Sequence, residues 1–373
     1  MTPLRAIANL AVVAAAPASM FLAQTWLMAN GRSDAVLALA QYGGLIGLVF
    51  LLFDGASGLA PALMRLRHPV NAIRSAYLVY RCAILVLLLA TLPLFWLAAP
   101  TETIGLMPFL TASLLLRLPL LDADLDRRGR QHWSMLLQNG WMLPLALTAA
   151  LAGEVGSTAA GHTVFWSSLL LFAAHRFLVR ERQPIGGDFR APIGELLSIV
   201  GAQGIGQAYG RAVLFMLGTS FAGPLAALVI YAKQAFNAAG PIVTYLRRAE
   251  LTQSRTDMRL SIFGQVGIGI AAGVLVFLAA ARVDLSASIA LLLIVWQVLE
   301  KLSANAVYSH QIGGRHGLAL GSLTMVTALG LLGLAMAHGR PLLFVAAEAL
   351  GYGIVLTLWY AARRQDTRIE VRP

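Results

Sequence analysis

Five cationic side chains sit inside stretches of sequence that are otherwise apolar: Arg81, Arg117, Arg211, Lys233 and Lys301. Three carboxylates share that setting, Asp54, Glu300 and Glu348, and Glu195 lies closer to the edge of its own stretch. A charge in the middle of a hydrocarbon layer costs roughly 2.5–3.5 kcal/mol on insertion scales, so a side chain kept there faces a partner or a watered cavity. The chemistry open to such a set is binding. Arginine can hold phosphate or carboxylate oxygens through two parallel N–H donors, and lysine supplies a compact point charge. Asp54, Glu300 and Glu348 can pair with these cations or bind a coupling ion.

Depth separates the cations. Arg81 and Arg117 lie about one turn from the inner ends of their stretches and have the reach to snorkel. Lys301 is also near an inner end and follows Glu300 directly. Arg211 and Lys233 are each at least about 8 residues, or 12 Å, from either end. Gln203, Gln207 and Arg211 recur at i, i+4 and i+8 and share one helical face; Lys233, Asn237 and Thr244 fall on a similar face of the next stretch. Two neighbouring polar stripes read as the lining of a cavity. The structural alternative is a fixed pair between Arg211 or Lys233 and Asp54 or Glu348.

The elements that must position these residues are twelve apolar segments, at 6–29, 37–64, 76–99, 104–121, 132–152, 159–179, 194–219, 222–246, 260–281, 286–306, 317–337 and 341–362. Each is long enough to cross roughly 30 Å of hydrocarbon as a helix. Hydrophobic residues make up 58% of the chain and charged residues 12%, well below the charge of a soluble domain. Ala16-Pro17-Ala18 looks like a signal-peptide cleavage site, but the apolar run continues to Met28, and it reads as the first spanning helix.

The net charge of +11 is placed asymmetrically. Twenty arginines fall in the loops of one side, among them Arg65, Arg127, Arg180, Arg247 and Arg363, and the other side holds Arg32, Arg282 and Arg340. This sets both termini in the cytoplasm and places the basic loops against anionic lipid headgroups, not against nucleic acid. The polar stretch 180–192 divides the chain into an N-terminal six-helix bundle (1–179) and a C-terminal one (193–373) with a short cytoplasmic tail. An even helix count gives both halves the same orientation. The fold expected is an all-α polytopic membrane protein, twelve helices in two six-helix bundles around a central cavity.

Several other chemistries fail on context. Gly201-Ala-Gln-Gly204-Ile-Gly206 follows no strand and is not a dinucleotide loop; Gly206 with Gly210, and Gly269 with Gly273, fit close helix packing. Asp122, Asp124 and Asp126 do not continue as an EF-hand, because Arg127 and Trp133 stand at its sixth and twelfth positions. The same loop, Asp126-Arg-Arg-Gly-Arg130, has the look of a major-facilitator motif but follows the wrong helix, where 65–71 does not match. No histidine pair has metal-ligand spacing beside a carboxylate, and the lone Cys82 reads as packing. The loops are too short for a catalytic or nucleotide-binding domain. No enzyme activity, metal or organic cofactor is expected; the one small partner the carboxylates allow is a coupling cation, Na+ or H+.

The segment Gly206-Gln-Ala-Tyr-Gly-Arg211 … Gly218 … Gly223-Pro … Tyr231-Ala-Lys233-Gln resembles the corresponding stretch of Wzx-type polysaccharide flippases. These belong to the multidrug/oligosaccharidyl-lipid/polysaccharide (MOP) exporter superfamily. Arg211, Gly218 and Tyr231 fit the family's pattern, whereas Gly210, Val229 and Gln234 depart from it. Ala40-Gln-Tyr42-Gly43 … Phe53-Asp54-Gly55 is loosely similar to its second-helix pattern. The resemblance implies a flippase of the bacterial inner membrane. It would move a lipid-linked oligosaccharide, usually on undecaprenyl diphosphate, from the cytoplasmic to the periplasmic leaflet, alongside other polysaccharide-assembly proteins. On that reading Arg211, Lys233, Gln207, Gln203, Asn237, Arg81, Arg117 and Lys301 line the cavity. A cation-coupled drug or metabolite antiporter of the same superfamily, a major-facilitator-like transporter and an integral-membrane polysaccharide-assembly enzyme remain as alternatives.

Overall fold

The computed structural model of the chain describes residues 3–54, 68–98, 104–120, 131–178, 188–238, 240, 243, 259–312 and 316–370. All regular structure among them is α-helical. The helices are α1 (Pro3–Ala29), α2 (Ser33–Phe53), α3 (Val70–Ala98), α4 (Met107–Arg117), α5 (Gln131–Asn139), α6 (Met142–Ala152) and α7 (Ser157–Leu178). They continue as α8 (Arg190–Ser220), α9 (Gly223–Asn237), α10 (Arg259–Arg282), α11 (Ala287–Ile312), α12 (His316–Met336) and α13 (Pro341–Glu370). Seven have described stretches long and apolar enough to span a membrane, and α4 and α6 are shorter apolar helices. The chain is an all-α polytopic membrane protein. Helices prevail because a segment in hydrocarbon must satisfy its own N–H and C=O groups internally.

Every expected segment contains a helix, with one subdivision. The expected span 132–152 is two helices, α5 and α6, interrupted at Gly140 and Trp141. Pro144 has no N–H to give to the carbonyl of Gly140, and the ladder restarts with Leu143 and Leu145 bonding back to Gly140 and Trp141. The connections at 30–32, 153–156, 221–222, 283–286 and 337–340 are as short as expected for the outer side.

The described chain falls into two compact units, Met1–Thr219 and Ser220–Pro373. The boundary follows α8, one helix later than the polar stretch 180–192, of which 180–187 lies outside the described residues. In the first unit α1 packs on α5 and α6, α4 on α7, and α2 on α3 and α6. In the second, α13 packs on α11 and α12, and α9 and α11 both pack on α10.

Two glycine features shape the first unit. Gly153 ends α6 at φ +70°, in the left-handed region, and the Arg32 guanidinium fills the place where a Cβ would stand. Where α2 meets α8 the backbones touch. A Cβ on Gly44 would lie 2.5 Å from the Phe215 nitrogen, and one on Gly218 would lie 2.8 Å from the Leu37 carbonyl oxygen. The start of α8 is fixed separately. Leu196 packs among Ile73, Tyr77 and Tyr80 of α3, and Glu195 lies 2.7 Å from His68.

Candidate functional site

The intramembrane charges resolve into two clusters, one in each unit, and one remaining cation. In the first unit Asp54 terminates α2, Arg81 sits near the middle of α3, and Arg117 is the last residue of α4. All three are buried. Arg81 donates from Nη2 to Asp54 Oδ1 at 2.8 Å, and Arg117 Nη1 lies 3.5 Å from Asp54 Oδ2. The two guanidiniums therefore turn inward onto one carboxylate instead of reaching out along their helices.

Each has a second role. Arg81 Nη1 donates to the carbonyls of Arg117, at 3.2 Å, Leu118 and Leu120. Those carbonyls lie at the negative end of α4, where a cation is favoured; that of Arg117 also accepts from the Leu120 N–H at 3.0 Å. The Arg117 guanidinium lies 3.8 Å from the Phe50 ring centroid, a cation–π contact. Asp54, Arg81, Arg117, Gln138 and His175 line a cavity of about 20 Å³, roughly enough for one water molecule. Tyr80 ties the same layer to α2 by donating to the Leu52 carbonyl at 2.6 Å.

In the second unit Lys233 of α9 is the centre. Its Nζ lies 3.1 Å from Glu300 Oε2 on α11 and 3.1 Å from both oxygens of Glu348 on α13. Glu348 is fully buried and also accepts from Trp296 Nε1 at 2.9 Å. The Trp296 ring stands 5.1 Å from the lysine nitrogen. Glu300 accepts from Gln297 at 3.2 Å and lies 3.4 Å from Lys301, whose Nζ in turn donates to Asn237 Oδ1. Two ammonium groups and two carboxylates leave the cluster neutral. The pairing of Lys233 with Glu348 is the structural alternative that the sequence left open.

Arg211 stands apart. It lies on α8, half-buried, with its side chain along α2 over Gly47; a Cβ on Gly47 would be 3.0 Å from Arg211 Cδ and 3.3 Å from Nη1. Among the described residues its guanidinium has no hydrogen bond and no ion pair. The backbone of α8 is helical throughout, so Gln207 and Gln203 keep their spacing of about one and two turns from Arg211, but their side chains lie outside the described residues, as does Thr244. Asn237 is exposed and engaged by Lys301.

Several participants carried no signal in the sequence. Ser168, 3.5 Å from Arg117 Nε, and His175 sit among apolar residues of α7. Trp296 and Gln297 were detectable in principle, because Trp296 precedes Glu300 by four residues and shares its helical face.

No family model and no curated protein sequence matches the chain. Among solved structures it is similar to the outward-facing form of a multidrug resistance MATE family transporter of the MOP superfamily. The identity is 14%, the TM-score 0.56, and the match covers 98% of this chain and 96% of that one. A eukaryotic MATE transporter, AtDTX14, aligns over 97% of this chain and 98% of its own with 15% identity and a TM-score of 0.46. At 14% identity the likeness to the first of these is one of fold alone: a polytopic helical membrane protein.

Proposed function

We propose that this chain is a transporter of MOP-superfamily type that flips a lipid-linked oligosaccharide, with Arg211 engaging the diphosphate headgroup. The observation that carries this reading is the contrast among the five intramembrane cations. Arg81 and Arg117 share Asp54, and Lys233 and Lys301 are matched by Glu300 and Glu348. Arg211 alone of the five has no partner among the described residues. A guanidinium within a membrane helix and unmatched among the described residues is retained at a cost of roughly 2.5–3.5 kcal/mol, which a transported anion offsets while it is bound. Two phosphate oxygens match the parallel donors of one guanidinium, and the lipid tail can remain in the bilayer. Lys233 contributes on this reading through the integrity of its cluster more than as a free charge.

The test is Arg211→Ala and Arg211→Lys in the producing cell. Both proteins reach normal levels, because no partner among the described residues is left unpaired. The alanine variant accumulates lipid-linked glycan precursor on the inner leaflet, and the lysine variant retains only a small part of the flux. Wild-type flux in Arg211→Ala removes the headgroup role.

A second reading, a cation-coupled drug antiporter, is favoured by the two carboxylates that converge on Lys233, Glu348 buried and Glu300 half-buried. Gene deletion separates the two. The antiporter predicts changed drug or cation sensitivity with unchanged precursor.

A further inference from the structure

We propose that Lys233 is the resident cation of the Glu300–Glu348 site: its ammonium holds the position a free monovalent cation would take, and the native cluster binds none. The inference rests on the geometry of the second unit alone; it is independent of the headgroup role of Arg211, and it removes Glu300 and Glu348 as a Na+ or K+ site for the antiporter reading. Three carboxylate oxygens surround the Lys233 nitrogen at 3.1 Å, two from Glu348 and one from Glu300. The open side is faced by the Trp296 ring at 5.1 Å, whose π face also attracts cations. These are the ingredients of a site for a small cation, namely converging anionic oxygens, an aromatic wall and almost no water. The side-chain exposures of Lys233, Glu348 and Glu300 are 4%, 0% and 16%, so solvent reaches the site only at Glu300.

Charge identifies the class of ion displaced. With Lys233 and Lys301 against Glu300 and Glu348 the cluster is neutral. Without the Lys233 charge it carries one net negative charge in a buried place, which one monovalent cation restores and a divalent one overshoots. A covalently tethered ammonium needs no capture from solution. It also cannot leave, so the two carboxylates stay neutralised at any Na+ or K+ concentration. Lys233 thus determines the ion specificity of the site by filling it.

The substitution Lys233→Met tests this, because methionine keeps most of the stem and ends about where the lysine Cε stood, vacating the nitrogen's position. The purified full-length protein is studied in detergent at fixed pH and ionic strength, in choline chloride exchanged stepwise for NaCl or KCl. Thermal midpoint and tryptophan fluorescence are read, the latter because Trp296 donates to Glu348. The wild type responds identically in the three salts. K233M gains a saturable rise of roughly 2–5 °C in NaCl or KCl, the size expected for a ligand bound only by the folded state. The double variant K233M/E348Q, neutral again, loses the response. Should K233M unfold in choline, recovery of monodisperse protein only with NaCl or KCl is the same result read at extraction. Two outcomes overturn the inference. One is a saturable Na+ or K+ response in the wild type that Glu348→Gln abolishes. The other is a K233M protein indifferent to all three salts, or unrecoverable in all three while K233M/E348Q is recovered.

Discussion

Asp54 is the residue whose loss the first unit can least absorb. One carboxylate serves both Arg81 and Arg117, and its side chain is 8% exposed, so solvent screens the pair little. Removing one partner of a buried pair costs about 3–5 kcal/mol, mainly through the charge left behind. Asp54→Asn is expected to lower the thermal midpoint of the purified protein strongly. The double variant Asp54→Asn/Arg117→Met recovers part of the loss, because the buried net charge returns to its native value. Equal destabilisation in single and double variants would locate the effect in Arg117 packing on Phe50. Arg81 is a poorer choice for rescue, since it also caps the end of α4.

At the scale of elements, the contact between α2 and α8 depends on missing side chains. Gly44→Ala and Gly218→Ala each place a carbon within 2.8 Å of backbone, which cannot move aside as a flexible side chain can. Each is expected to cost about 1–3 kcal/mol, as overpacking does. Among the described residues Gly210→Ala and Gly267→Ala meet nothing within 4 Å, against the close packing expected at Gly210, and both lie inside helices, so they are expected to stabilise by roughly 0.5–1 kcal/mol. Chemical or thermal unfolding of the four variants checks the contrast. Gly47→Ala is a different experiment. The atoms it crowds belong to the Arg211 side chain, so it is expected to cut transport more than stability. Transport unchanged in Gly47→Ala would mean that the seat of Arg211 on α2 is unimportant.

For the whole molecule the testable property is orientation. The arginine-rich loops, with about a twenty-to-three imbalance, are expected by the positive-inside rule to lie in the cytoplasm with both termini and the 180–192 stretch. Reporter fusions at residue 184 and after residue 364 are expected to report cytoplasm, and a fusion in the turn at 153–156 to report the outside. A periplasmic signal at residue 184 would invert the orientation of every helix on one side of it. Of the three arginines on the side expected to face outward, Arg32 reaches the Ala152 carbonyl at 3.5 Å beside Gly153.

By itself the sequence determined where the helices lie, because in hydrocarbon each segment must close its own backbone hydrogen bonds and so announces itself by length and hydropathy. It also singled out the charges of the two clusters, since any ionisable residue within such a segment stands out; it did not mark Arg74, which is buried although its place in the sequence is that of a loop arginine. The break at Gly140–Trp141 was legible in principle from Pro144, but the continuous apolar run from 132 to 152 hid it. Only the tertiary structure decided the partners. Lys233 and Glu348 are 115 residues apart and Asp54 and Arg81 are 27 apart. Pairing depends on how each helix is rotated about its axis and which helices become neighbours. That is set by the packing of apolar and glycine faces, not by the charges. For the same reason Arg211 looked like Lys233 in the sequence, two deep cations on consecutive helices. The fold gave one of them two carboxylates and laid the other over Gly47 with none among the described residues.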